Sequence, residues 1–102
     1  MLNVKKMLTM ISNKIEQMDC GVVTNLGEVA SNSTKDATVT FNRTFSEPPT
    51  VVACLVSTST AYGFGRISCG VHSITTTSCK VRVFNADTVA RSPYVSWIAI
   101  AK

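Results

Sequence analysis

Charge is scarce in this chain. Only 16% of its 102 residues are Asp, Glu, Lys or Arg, against roughly 25% in soluble globular proteins. The net charge is +4, and the basic residues are thinly spread: Lys5, Lys6 and Lys14 in one segment, then Lys35, Arg43, Arg66, Lys80, Arg82, Arg91 and Lys102. A nucleic-acid surface needs a denser basic stripe, so nucleic acid is not an expected partner. Long apolar runs are missing too. None approaches the roughly 20 residues that cross a bilayer, which argues against membrane insertion. From Met1 to Met18 polar residues interrupt the chain repeatedly, unlike the unbroken core of a secretion signal, so synthesis in the cytoplasm is expected. Cys20, Cys54, Cys69 and Cys79 form no Cys-x-x-Cys pair and have only His72 to help them. Structural zinc wants paired ligands, so no metal or cofactor is expected. The thiols read as small buried apolar groups, with one or two disulfides as the alternative.

The same scarcity weighs against an enzyme. His72 is the sole histidine, and a base needs a nucleophile and an orienting group besides. Asp36, Glu47 and Asp87 are isolated from one another in sequence, so no catalytic carboxylate pair stands out. Gly63-Phe64-Gly65 is too short for a phosphate cradle and precedes no helix.

What the chain does have is apolar residues, 45% of the total. So short a chain is one domain with little interior, so part of that apolar surface is expected to lie against another chain. The first segment is helical in rhythm. Val4, Leu8, Ile11, Ile15 and Met18 follow steps of four, three, four and three, a heptad seam with Leu8 and Ile15 at one core position and Val4, Ile11 and Met18 at the other. This predicts a helix over 1–19, capped by Asn3 and ended by Gly21. Two heptads are marginal alone. The seam packs either on its own domain or on its copies, and Leu8 followed by Ile11 leans toward three or four strands. A homotrimer is the expectation.

After Gly21 the period becomes two. Ala37, Val39 and Phe41 alternate with Thr38, Thr40 and Asn42, and Cys79, Val81 and Val83 with Lys80, Arg82 and Phe84. Each set gives a strand one inward face. Thr50 to Ser57 is nearly continuous in apolar residues and reads as a strand covered on both faces. Gly63 to Ser73 and Tyr94 to Ala101 complete the set, and in the last Val95, Trp97 and Ala99 share a face. Short strands with turns between them predict a mainly β chain, an antiparallel sandwich preceded by a short N-terminal coiled-coil helix. The expected organisation is an oligomerising helix over 1–19, a connection over 20–36 and the sandwich over 37–102.

Several stretches resemble a known family. Phe45-Ser46-Glu47-Pro48-Pro49-Thr50-Val51-Val52 is similar to the aromatic-x-x-Pro-Pro-x-Val entry of the H-type lectins. Val71-His72-Ser73-Ile74-Thr75-Thr76-Thr77, Ala86-Asp87-Thr88 and Val95-Ser96-Trp97-Ile98-Ala99-Ile100 resemble their later turn and closing strands. The resemblance spans residues 37 to 100 and implies a six-stranded antiparallel β-sandwich that assembles as a trimer. It also implies an altered sugar pocket. The tryptophan that packs on sugar in these lectins falls at Asn85, the adjacent histidine at Ala86, a tyrosine at Arg91 and the acidic loop residue near Ser59. Arg66 matches the family's arginine. A short coil joined to such a sandwich is similar to small tail-fibre or virion proteins of tailed bacteriophages. The resulting expectation is a non-enzymatic receptor-binding head in a virion. Its partners are its own copies, other virion proteins and a host cell-surface glycan, and Ser59, Arg66, Asn85, Arg91 and Tyr94 are the candidate contacts. A capsid or decoration protein and a free cellular lectin are the alternatives.

Overall fold

The computed structural model describes residues 3–9, 17–56 and 66–102. Ile11, Ile15 and Ser59 lie outside them. Residues 4–9 are helical, and Asn3 caps that turn as expected, its Oδ1 accepting from the Lys6 amide at 2.9 Å. The predicted helix does not reach residue 19. Met18, expected in the heptad seam, begins a strand instead.

Six strands follow among the described residues: β1 (Met18–Val22), β2 (Ser33–Thr40), β3 (Thr50–Val56), β4 (Ile67–His72), β5 (Ser78–Asn85) and β6 (Tyr94–Ile100). They pair antiparallel into two three-stranded sheets, ordered β1-β6-β3 and β2-β5-β4. The predicted antiparallel six-stranded sandwich is therefore the fold. β1 is the strand that alternation missed, because Met18, Cys20 and Val22 face outward while the inward positions are Asp19 and Gly21. β2 also starts earlier than expected, so 20–36 holds parts of two strands rather than a bare connection.

The interior follows the period-two pattern. Ala37 and Val39 of β2, Cys79, Val81 and Val83 of β5, and Val95, Trp97 and Ala99 of β6 are all buried. Phe41 ties the sheets together: its ring stands edge-on to Phe45 at 5.4 Å and tilted against Trp97 at 5.6 Å. Trp97 in turn lies under β1, where a Cβ on Gly21 would stand 3.0 Å from the indole. Glycine is needed here for close approach.

The two outer faces differ sharply. On β2-β5-β4 the face is mostly polar, with Thr34, Asp36, Thr38, Lys80, Arg82 and Ser68, and Phe84 as its exposed aromatic. The outer face of β1-β6-β3 is apolar. Met18, Val22, Val52, Val56, Tyr94 and Ile100 are all exposed there, so β3 is covered on one side only, contrary to the reading of its continuous apolar run. The cysteines differ from expectation as well. All four are free thiols; Cys79 is buried and Cys69 half-buried, but Cys20 and Cys54 are exposed on that apolar face. Burial pushes the Cys79 and Cys69 thiols up.

Replacing Trp97 by Ala is expected to cost roughly 3–5 kcal/mol, the range for removing a buried aromatic side chain. Chemical denaturation monitored by circular dichroism measures it, and Gly21→Ala should destabilise too, by crowding the same ring.

Candidate functional site

One end of the sandwich gathers the start of β2, the start of β4, the end of β5 and the loop leading into β6. Asn85, the last residue of β5, is fully buried. Its Nδ2 donates to the carbonyls of Val29 and Val89, both at 3.0 Å, and its Oδ1 accepts from the Asp87 amide at 2.9 Å. Val29 and Arg91 add a backbone pair, the Val29 amide donating to the Arg91 carbonyl at 2.7 Å and the Arg91 amide to the Val29 carbonyl at 3.0 Å. Two loops distant in sequence are thereby locked together.

Asp87 sits at the centre with 3% of its side chain exposed. Its carboxylate accepts from the Thr88 amide at 2.7 Å, Arg91 Nε at 3.0 Å and Arg66 Nη1 at 3.1 Å. The Asp87 carbonyl takes the Ser31 hydroxyl, and Ala86 donates to the Arg66 carbonyl at 2.7 Å. The Thr88 amide first, then the two guanidiniums, hold the Asp87 carboxyl below the usual carboxylate range, overcoming the opposing effect of burial. Arg66 keeps 64% of its side chain in solvent and Arg91 34%. Two guanidiniums on one carboxylate leave this triad one positive charge in excess. Tyr94, 65% exposed, borders a hollow of about 310 Å³ with Leu26, Gly27 and Pro93. Chemically, this end offers guanidinium donors and an exposed aromatic ring on a backbone that is already fixed.

Residues 36–100 match the family profile described as the H-type lectin domain. The chain belongs to the H-type lectin domain family. No curated protein matches it in sequence. Solved structures share its fold. A C-terminal fragment of the Pseudomonas aeruginosa R1 pyocin fibre is 18% identical with a TM-score of 0.67, covering 83% of this chain and 23% of the fibre fragment. The tailspike of Pseudomonas phage LKA1 is 20% identical at a TM-score of 0.58, with 81% of this chain and 15% of the tailspike covered. The tailspike of Acinetobacter baumannii bacteriophage AP22 is 13% identical at 0.61, over 83% of this chain and 17% of its own. The chain thus spans under a quarter of these three proteins.

Within this H-type lectin domain, four of the five candidate contacts can be placed. Arg66 and Arg91 converge on Asp87, and Tyr94 stands nearby at the start of β6. Asn85, expected at the surface, is buried and organises the loop from inside, because its strand-end amide binds three backbone groups of the surrounding loops that need partners when buried. Ser59 lies outside the described residues. Sequence reasoning missed Asp87, which is not isolated in space; its Asp-Thr step and the Arg four residues later were the available signal.

Asp36 is not isolated either. On the polar sheet face it accepts from Arg82 Nε at 2.8 Å and Nη2 at 3.1 Å. It also meets His72 Nε2 at 3.1 Å, while His72 Nδ1 meets Ser73 Oγ at 2.9 Å. The serine, histidine and aspartate form a chain, but the bidentate guanidinium already occupies the carboxylate. The two arginine hydrogen bonds lead in lowering the Asp36 carboxyl.

A carboxylate with a lowered folded pKa stabilises the fold fully above its unfolded value, here 3.8. That contribution fades as pH falls from there through the folded value. Asp87→Asn should therefore lower Tm at pH 7 and flatten the decline of Tm on acidification below about pH 4; thermal melts across pH check this.

Proposed function

We propose that this H-type lectin domain is the receptor-binding head of a homotrimeric, non-enzymatic bacteriophage structural protein. The single observation that carries this reading is the loop end. Asn85 and Asp87 fix its backbone from within while Arg66, Arg91 and Tyr94 remain presented to solvent. Rigid strands that hold exposed loops are the usual way to present binding groups. Guanidinium donors and a phenol ring suit the hydroxyls, ring faces and acidic groups of a cell-surface glycan. The likeness to tail fibres and tailspikes supports the setting, a virion, and the AP22 tailspike was solved in complex with a capsular saccharide.

Trimer formation has two supports. Val4 and Leu8, seam residues of the helical segment, are 70% and 61% exposed in the single chain. The outer face of β1-β6-β3 presents Val52, Val56 and Ile100 with no covering layer among the described residues, and apolar area of that kind marks an interaction surface. Three copies also multiply a weak site into useful avidity.

Adsorption to candidate host cells tests the head. The unmutated protein should adsorb, and an Arg91→Ala, Tyr94→Ala double variant should adsorb measurably less; adsorption by neither favours a purely structural capsid or decoration role. Light scattering tests assembly. Val52→Lys with Ile100→Lys should yield a folded monomer, since an unpaired charge in a buried interface costs several kcal/mol. Ile11→Lys with Ile15→Lys asks the same of the coil, and a trimer surviving both pairs would sink the assembly reading.

A further inference from the structure

We propose that the groove between β1 and β2 is a second binding site, separate from the loop end, that takes one unit of a neutral sugar. β1 is the edge of one sheet and β2 the edge of the other. On the opposite side of the sandwich β3 and β4 approach closely, with Cys69 Sγ 3.7 Å from the Ala53 carbonyl. The β1/β2 side stays open, as a groove of about 360 Å³. Small-molecule sites fall at roughly 300–1,000 Å³.

The lining is uncharged and rich in hydrogen-bonding groups. It includes Gly21, Thr24, Asn25, Thr40, Asn42 and the edge of Trp97. Trp97 is only 6% exposed, and buried indole N–H groups ordinarily find an acceptor. No hydrogen bond from the Trp97 N–H is seen among the described residues, and the nitrogen is not sealed off from solvent: the side-chain atom buried without a partner is Arg43 Nε, not the indole. Its Nε1 lies beside Gly21, 3.0 Å from the position a Cβ would take, and the missing side chain leaves that edge open to the groove. Two amides complete the site with their nitrogens already tied. Asn25 Nδ2 donates to the Thr38 carbonyl at 3.2 Å. Asn42 donates to Asp19 twice, through Nδ2 at 3.0 Å to Oδ1 and through its backbone amide at 2.6 Å to Oδ2. Both Oδ1 atoms are left to accept, with the Thr24 and Thr40 hydroxyls able to do either.

An indole N–H at the groove wall, two amide oxygens and hydroxyls around an aromatic edge match a ligand that is dense in hydroxyls and carries no charge. An anion would find no cation in the lining. An extended peptide added to either edge strand would instead want side-chain pockets at alternate positions along the strand, whereas the polar groups here converge on one hollow.

The chain has a single tryptophan, which lines this groove and also a hollow on the outer face of its sheet with Val52, Cys54 and Ile98, so the groove variants are what assign an emission change to the groove. The full-length protein is titrated with the methyl glycosides of glucose, galactose and N-acetylglucosamine, with sialic acid and a Val/Thr pentapeptide as comparisons. A saturable emission change with at least one glycoside is expected. Asn25→Ala with Thr40→Ala, both on exposed residues, should weaken it about tenfold, and Asn42→Ala alone should weaken it should that pair misfold. Arg91→Ala with Tyr94→Ala, which disables the loop end, should leave it unchanged. No saturable change with any glycoside overturns the proposal. So does a change that the groove variants leave intact, or a response confined to the peptide or to sialic acid.

Discussion

Trp97 belongs to the central strand of its sheet, yet its ring has to serve both sheets. It packs against Phe41, which follows β2, and lies directly under the neighbouring strand β1. The approach of β1 to the ring is possible only because position 21 has no side chain. The ring sets how closely the sheets approach at the β1/β2 side, and the lack of any bulk above it keeps that side open. Phe45, set edge-on to Phe41, extends the same aromatic stack toward the turn before β3. A sandwich of three-stranded sheets has few residues with which to fix its spacing, and here a single indole does most of it.

The loop end depends on polar burial instead. Asn85 has no exposure and Asp87 almost none, and buried polar groups of this kind are costly unless every partner is present. Here the partners come from three separate stretches: the 29–31 segment, Arg66 and the loop before β6. The network therefore specifies one arrangement of loops rather than merely adding stability. A ligand meeting Arg91 and Tyr94 does not have to order them first, which removes part of the entropic cost of binding.

Much of the fold was legible because period two is unambiguous wherever one face is Val, Ala or Cys and the other Thr, Lys or Arg. β2, β5 and β6 are of this kind, down to the inward placing of Val95, Trp97 and Ala99. β1 was not legible, since its apolar residues face outward and its inward positions hold Asp19 and Gly21. The exposed side of β3 misled for a related reason: an apolar run reads alike whether the second face meets its own chain or nothing in its own chain. Of the candidate contacts, Arg91 and Tyr94 were proposed from residue type and loop position, and Arg66 from the family resemblance. Asn85 was misjudged because an amide after a strand looks like surface, and only the three-dimensional closure of the 29–31 segment over it says otherwise. Asp87 reads as an isolated carboxylate in the sequence, since its partners are brought together only by that same closure.

Asp19 bears on how such a chain survives crowding. It occupies an inward position on edge strand β1, and Lys35 does the same on edge strand β2, where its ammonium caps the Glu28 carbonyl at 3.2 Å. Strand edges carry unpaired amides and carbonyls, and identical chains held close together can zip along them into open-ended stacks. A charge aimed toward the interior blocks that, because an incoming strand would have to bury it. Both unprotected edges lie on the same side of this sandwich, and each carries one such charge. Many copies packed at high local density would thus be kept apart along that seam, and the apolar sheet face would remain the surface where contact is favoured.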